Sequence, residues 1–106
     1  MTGHKIEGLL GLCMKSGALS FGNYACMDLI QRKKVKLILI AEDAAARTKK
    51  NFEFYCKENQ IPIYFYGSIE TLSRAIGKPN KAIFGIKNQN FAREMEKIIN
   101  GGEVIG

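Results

Sequence analysis

The most regular hydrophobic pattern in the chain is the unbroken apolar run over residues 37–41, which stops at Glu42 and Asp43. A continuous run of this length predicts a strand that is covered on both faces. Because helices above and below a sheet are what cover such a strand, the run implies a layered α/β domain. We therefore predict a central strand over residues 35–41.

Helical periodicity flanks this strand on both sides. Apolar residues recur at i, i+3, i+4, i+7 and i+8 over residues 2–16, which predicts a first helix. Further helices are predicted over residues 23–32, 44–58, 69–76 and about 91–99. The predicted core-facing positions are Ile6, Leu9, Leu10, Cys13 and Met14 in the first helix, Ala25, Cys26, Leu29 and Ile30 in the second, and Ala45, Thr48, Phe52, Tyr55 and Cys56 in the third.

Shorter apolar segments between the helices predict the remaining strands. Residues 61–66 and 82–86 are expected to be strands, residues 18–21 a brief strand or an extended link, and residues 104–105 an edge strand or a trailing end. Alternation in the 61–66 strand puts Phe65 on the opposite face from Tyr64 and Tyr66. Because covered strands bury both faces, core packing is favoured over base stacking for these rings. The alternating order predicts an α/β/α sandwich with a small, largely parallel or mixed sheet, in a single domain spanning residues 1–106.

Polar residues at the turns supply signals for helix ends. Asp43 is predicted to cap the third helix, because its side chain can accept hydrogen bonds from first-turn N–H groups. Ser68 and Thr71 form an imperfect capping box before the fourth helix, which Gly77 is expected to stop. Glu42 and Asp43 are also candidates for hydrogen bonding to a ligand, because ligands of open α/β sheets favour the carboxyl ends of strands.

Composition adds a candidate partner to this fold. The chain has 106 residues, 46% of them hydrophobic, with 16 basic and 10 acidic residues and a formal net charge of +6. The excess of positive charge indicates a polyanion partner, of which nucleic acid is the commonest. Cys13, Cys26 and Cys56 form no CxxC pair, so we expect small buried hydrophobes in a reducing cytoplasm. No apolar run approaches membrane-spanning length, and no membrane partner is predicted.

Catalytic signatures are absent from the sequence. It contains no phosphate-binding loop and no GxSxG nucleophile elbow, and its one histidine is His4. A Ser–His or Cys–His dyad would depend on that residue, and a zinc site would need four well-spaced ligands. We therefore expect no enzyme activity, no cofactor and no metal. A nucleotide or metal bound at the Glu42–Asp43 turn would revive the hypothesis of a small enzyme on a Rossmann-like sheet.

Basic and small polar residues gather at three turns, which are neighbours if the helices enter on one side of the sheet. Helix N-termini donate N–H groups to phosphates, and lysines add salt-dependent affinity, so such a surface suits folded RNA. A further basic run, Arg32-Lys33-Lys34 with Lys36, indicates either a helix end with a solvated turn or direct ligand contact. The candidate RNA-binding residues are Ser20, Gly22, Asn23 and Tyr24 at the first turn, Glu42, Asp43 and Arg47 at the second, and Arg74, Gly77, Lys78, Asn80 and Lys81 at the third.

Several segments in this order resemble the YlxQ-type bacterial proteins, which belong to the superfamily of ribosomal proteins L7Ae, L30e and S12e. The resemblance covers nearly the whole chain. It implies an α/β/α sandwich with a mixed four-stranded sheet, no catalysis, no cofactor, and binding to structured RNA, typically kink-turns, or to the ribosome. The segments that carry it are Leu9-Leu10-Gly11-Leu12, Ser20-x-Gly22, residues 36–44, Thr48-Lys49-Lys50-x-Phe52, Cys56, Ile61-Pro62, residues 72–78, and Phe91-Ala92.

The second helix departs from the pattern of that family. There the helix opens with Gly followed by Asn and Glu, with Lys one turn later, and these residues reach the sheared G·A pairs of a kink-turn. Counted from Gly22, the corresponding positions hold Tyr24, Ala25 and Asp28. The sequence therefore predicts a cytoplasmic, monomeric RNA-binding protein whose kink-turn recognition is weakened. The alternative is a protein-interaction module that kept the fold and lost the RNA site.

Overall fold

The computed structural model describes residues 2–101, with side chains from residue 5 onward. Within these residues, helices and strands alternate in the predicted order. The expected strand at residues 104–105 lies outside the described residues. The helices are α1 Thr2–Lys15, α2 Asn23–Gln31, α3 Ala46–Glu58, α4 Ile69–Ile76 and α5 Gln89–Ile99, and the strands are β1 Leu19–Phe21, β2 Leu37–Ile40, β3 Ile63–Phe65 and β4 Ile83–Ile86.

The four strands form one mixed sheet in the order β1-β4-β2-β3. β4 is antiparallel to both of its neighbours, whereas β2 and β3 are parallel. β1, β2 and β3 therefore point the same way, and the three of them end where β4 begins. We call that side of the sheet the upper edge and the opposite side the lower edge.

Helices cover both faces of the sheet, which confirms the predicted α/β/α sandwich. Leu37 and Leu39 of β2 pack with α1, α4 and α5 in one apolar cluster. Ile38 and Ile40 pack with α2 and α3 in the other. All four side chains are fully buried, as the unbroken apolar run predicts.

Asp43 caps a different helix from the predicted one. Its Oδ1 accepts a hydrogen bond of 2.9 Å from the N–H of Ile69, the first residue of α4. The reason is the sheet pairing, because the N–H of Glu42 donates to the carbonyl of Gly67 at 2.9 Å and brings Asp43 beside the β3–α4 turn. α3 begins only at Ala46, without a side-chain cap from Ala45.

Two predicted core alanines are exposed. In α2 the buried positions are Cys26 and Ile30, and Ala25 lies one residue, about 100°, away from that face. Ala45 precedes α3 and is exposed, while Ala44 is buried in its place. Both errors have one cause. Periodicity predicts that a helix has an apolar side more reliably than it predicts the residue at which that side begins.

Other local predictions agree with the structure. Ser68 and Thr71 complete a reciprocal capping box, with the threonine hydroxyl in the place usually taken by glutamate. Gly77 ends α4 in the left-handed conformation. Tyr64 belongs to one apolar cluster and Phe65 to the other, as strand alternation requires.

The three cysteines are fully buried and free. Burial raises the pKa of Cys13 to about 11 and the pKa values of Cys26 and Cys56 to about 12. The positive charge of Lys87 opposes part of the shift at Cys13. The thiols therefore stay protonated at neutral pH and behave as small hydrophobic side chains.

Candidate nucleic-acid interface

The three turns predicted to be neighbours meet at the upper edge. The N–H of Gly22 donates to the carbonyl of Ile83 at 2.9 Å, which joins the β1–α2 turn to the start of β4. The N–H of Ala41 donates to the carbonyl of Ala82 at 2.9 Å, which joins the end of β2 to the same loop. With strands about 4.8 Å apart, the four connections lie side by side over about 14 Å.

Gly22 places the start of α2 directly on this edge. Its φ of 95° and ψ of 158° belong to a region that essentially glycine alone occupies. A Cβ there would meet nothing within 4 Å, so the requirement concerns the backbone angle and not space. Gly22 gives α2 no side-chain cap, and Ala45 gives none to α3. First-turn N–H groups of two helices are thus available to an anion at this edge.

Asn23 and Tyr24 follow Gly22 at the start of α2, and both are exposed. Tyr24 is 88% exposed, more than Leu12 at 57% or Phe54 at 58%, the other large hydrophobic residues that the described structure exposes. In the free protein this ring exposes apolar surface to water, which is unfavourable. Its flat face is available to a partner.

Ser73 fixes the third turn against α4. Its hydroxyl accepts from the N–H of Lys81 at 2.7 Å and donates to the carbonyl of Lys81 at 2.9 Å, and the residue is buried. The Lys81 Nζ lies 5.4 Å from the centroid of the Phe21 ring, so this charge reaches back to the β1–α2 turn. Sequence reasoning missed Ser73, although a small polar residue between the apolar positions Leu72 and Ile76 was the available signal.

Lys49 is a second residue that the sequence prediction missed. Its Nζ donates to the carbonyl of Glu42 at 2.7 Å and lies 5.8 Å from the centroid of the Phe65 ring. Arg47 is exposed in the first turn of α3, and the side chains of Glu42 and Asp43 are exposed beside it. This part of the edge therefore carries both signs of charge, whereas the Lys78–Lys81 turn carries positive charge.

Three predicted site residues have mainly structural surroundings. Ser20 is half-buried inside β1, paired with Gly85, and is not brought to the surface with the turns. Arg74 is ion-paired with Glu70 at 2.8 Å on the exposed side of α4. Gly77 ends that helix. A shallow surface groove of about 370 Å³ is lined by Glu70, Ser73, Arg74, Gly77, Lys78, Pro79 and Asn80.

Tyr24, Ala25 and Asp28, the α2 residues at which the sequence departs from the resemblance, are accessible to solvent. Asp28 is ion-paired with Arg32 at 3.1 Å, and the two side chains are 48% and 60% exposed. Exposed pairs of this kind stabilise a protein by at most about 1 kcal/mol, so Arg32 can exchange partners easily.

Among the described side chains, no group of three or more histidines, cysteines or carboxylates could hold a metal ion. In the described part of the chain, no helix has the length and apolarity needed to cross a membrane.

Comparison with known proteins gives concordant results. The model of the ribosomal protein L7Ae/L30e/S12e/Gadd45 family matches residues 4–96. The RNA-binding protein YlxQ of Enterococcus faecium is 32% identical over 97 residues, covering 92% of this chain and 93% of that protein. The large ribosomal subunit protein eL30 of Sulfurisphaera tokodaii is 29% identical over 105 residues, covering 97% of each. A solved protein of unknown function from Bacillus halodurans superposes with a TM-score of 0.88 at 32% identity, covering 91% of this chain and 97% of that one.

Proposed function

The chain belongs to the ribosomal protein L7Ae/L30e/S12e/Gadd45 family, and from this premise we propose that it binds structured RNA, of the kink-turn or ribosomal type, through the turns at its upper edge. In this proposal the protein is a non-enzymatic, single-domain cytoplasmic monomer. Its relatives are named as RNA-binding and ribosomal proteins, which supports RNA as the partner class. The observation that carries the proposal is the meeting of three predicted turns at one edge.

The chemistry of that edge suits a phosphate backbone that turns sharply. The uncapped first turns of α2 and α3 offer N–H donors, and Lys78 and Lys81 offer charge. Tyr24 offers a ring on which an unpaired base can stack. Loops and internal bulges of RNA present both features, because their bases are unstacked while their phosphates crowd together.

Recognition of a kink-turn by this chain has to proceed without the family's Asn, Glu and Lys side chains in α2. The positions hold Tyr24, Ala25 and Asp28. Removing a bidentate base contact costs about 1–3 kcal/mol. We therefore expect weaker discrimination between a kink-turn and an RNA that lacks the sheared G·A pairs, with stacking and phosphate contacts providing most of the affinity.

The proposal is tested by titrating two labelled RNAs at two salt concentrations. One RNA carries a kink-turn, and the other replaces its G·A pairs by Watson–Crick pairs. The wild-type protein is compared with the Lys78→Gln, Lys81→Gln double variant. We expect the variant to bind at least about tenfold more weakly at 0.1 M salt, and its salt slope to fall by about two, one for each lost phosphate contact.

The matched control is Lys57→Gln with Arg93→Gln, which removes the same charge from the end of α3 and the start of α5, the ends of these helices that lie away from the upper edge. It should bind within about threefold of the wild type, because only the long-range field changes. Failure of the wild type to bind either RNA at low salt contradicts the proposal. Partners from a lysate that persist after nuclease treatment would instead favour the protein-interaction module, for which exposed Tyr24 is the motivating residue.

A further inference from the structure

A second basic surface lies at the lower edge, opposite the turns described above. We define the lower basic edge as Lys15, Lys33, Lys34, Lys36 and Lys87. The backbone brings these residues together from three separate connections. The N–H of Lys36 donates to the carbonyl of Ile86 at 2.8 Å, and the N–H of Lys87 donates to the carbonyl of Ala18 at 2.8 Å. Across β1, β4 and β2 the connections span about 10 Å.

The charges of this edge are not balanced locally. Lys15, Lys33, Lys34 and Lys36 are exposed and Lys87 is half-exposed. Within the described residues, no ion pair involves any of the five, because the pairs that form there use Arg32, Arg74 and Lys97. Asp28, the carboxylate nearest to Lys33 and Lys34 along the chain, is already paired with Arg32.

Favourable interaction with a helix dipole explains the presence of only some of these lysines. α2 has no basic residue in its last turn, and Lys33, Lys34 and Lys36 all follow its end at Gln31. The dipole acts mainly within the last turn of a helix, so it does not explain Lys36 or Lys87. Lys33 also adopts a left-handed conformation with φ of 55°, where glycine or asparagine would be less strained.

We propose that the lower basic edge is a second RNA-binding surface, which holds the phosphate backbone of an A-form duplex. Protein interfaces have apolar centres and are depleted in lysine. Of the large apolar residues that the described structure exposes, Tyr24 and Phe54 lie in α2 and α3, Leu12 lies one turn before Lys15 in α1, and none comes from the loops that form this edge. Lysines without a central apolar anchor match a regular array of phosphates, which is bound by charge and not by base contacts.

The two surfaces are too far apart to hold the same phosphates. β2 runs from one edge to the other, and the five steps from Lys36 to Ala41 span about 17 Å. A protein with both surfaces bridges two RNA segments, one looped and one helical. The duplex surface stands independently of the proposed function, whereas bridging rests on it.

The experiment titrates a labelled 16-base-pair RNA duplex without loops or bulges. The variant Lys33→Asn, Lys34→Gln removes two charges of the lower basic edge and keeps a residue that tolerates the left-handed conformation at position 33. We expect at least about a fivefold loss of duplex affinity at 0.1 M salt and a salt slope lower by about two. The control Lys5→Gln, Lys50→Gln removes two exposed charges, unpaired within the described part of the chain, from α1 and α3 away from the lower basic edge and should remain within about twofold.

The upper-edge variant Lys78→Gln, Lys81→Gln separates this inference from the proposed function. We expect it to retain duplex binding while it loses the looped RNA. A mixture of looped RNA and duplex with different fluorophores should show energy transfer with the wild type, and clearly less with either double variant at protein concentrations near the wild-type dissociation constants. Equal duplex affinity of the wild type and the lower-edge variant would overturn the inference, whether or not the looped RNA binds. Binding of polyglutamate but not of duplex would also overturn it.

Discussion

Single residues place the charges of the upper edge, and they do so mainly through backbone hydrogen bonds. Ser73 holds both the N–H and the carbonyl of Lys81, which keeps the 78–81 turn in one position relative to α4. Lys49 reaches the carbonyl of Glu42 at the end of β2. Positioning of this kind reduces the conformational entropy that the two turns lose when a ligand binds.

Tyr24 allows the sharpest test at the scale of one residue. We expect Tyr24→Ala to weaken binding of a looped RNA by about 1–3 kcal/mol, roughly fivefold to 150-fold, because an exposed ring that stacks on a base contributes about this much. Tyr24→Phe keeps the ring and should bind within about threefold of the wild type. Fluorescence anisotropy with the kink-turn RNA measures both changes.

Folding stability provides the control for that experiment. Tyr24 is 88% exposed, so neither substitution should move the unfolding midpoint beyond the small range usual for surface sites. RNA affinities of Tyr24→Ala and Tyr24→Phe that fall equally would mean that the hydroxyl group, and not stacking, makes the contact. An unchanged affinity of Tyr24→Ala would remove the residue from the interface.

At the scale of elements, the backbones of α1 and α4 approach each other closely at Gly11. A Cβ built on Gly11 would lie 3.2 Å from the carbonyl oxygen of Ala75, whereas one built on Gly8 would meet nothing within 4 Å. The two glycines are one turn apart on the same helix. Replacing each of them by alanine therefore measures the effect of helix propensity at Gly8 separately from the effect of helix packing at Gly11.

We expect Gly8→Ala to raise the free energy of unfolding by about 0.5–1 kcal/mol, since alanine is the better helix former. Gly11→Ala should give no gain or a loss of about 1 kcal/mol, because the added methyl group forces α1 away from the α4 backbone. Urea unfolding followed by circular dichroism measures both. An equal gain in the two variants would show that α1 and α4 separate without cost.

The element order was predictable because each apolar pattern had the length and period of the element that buries it. The strand 37–40 is an example, since its four side chains are buried on alternate faces. The cap by Asp43 was not predictable in the same way. That carboxylate lies one residue before a helical pattern, but it bonds to Ile69, which is 26 residues away and is brought near by parallel pairing of β2 and β3.

The candidate site likewise has features that the sequence predicted and features that it did not. The meeting of the turns at Gly22 and Asp43 follows from the rule that strands of a common direction end at one edge, whereas the Lys81 turn joins them because β4 is antiparallel and begins there. The parts that the sequence did not indicate are side-chain contacts across chain segments, such as Ser73 with Lys81 and Lys81 with Phe21. These contacts depend on the register of β4 between β1 and β2, which no local pattern specifies.

At the scale of the whole molecule, the buried thiols link stability to pH. Cys13 lies in the apolar cluster on one face of the sheet, and Cys26 and Cys56 lie in the cluster on the other. Their ordinary pKa is 9.0, and burial raises the values in the folded protein to about 11, 12 and 12. Tyr64 shifts in the same direction, chiefly because of desolvation.

The direction in which stability changes with pH follows from the number of protons bound by the folded and the unfolded state. Above pH 9 the unfolded chain loses its thiol protons while the folded protein keeps them, so the unfolded state gains stability as the pH rises. The contribution of each thiol is intact below pH 9 and is lost as the pH rises towards the folded pKa. Between pH 8 and pH 10 we expect the free energy of unfolding to fall by about 1.3 kcal/mol per thiol, or about 4 kcal/mol for the three.

Urea unfolding at pH 8, 9 and 10 under reducing conditions measures this loss. Cys56→Ala provides the control, because it removes one titrating group. Its stability should be lower at every pH, owing to the lost packing, but its decline between pH 8 and pH 10 should be about one third smaller. A free energy of unfolding that stays constant over this range would mean that the thiols ionise as easily in the folded protein as in the unfolded chain. The cores on both faces of the sheet would then have to admit water.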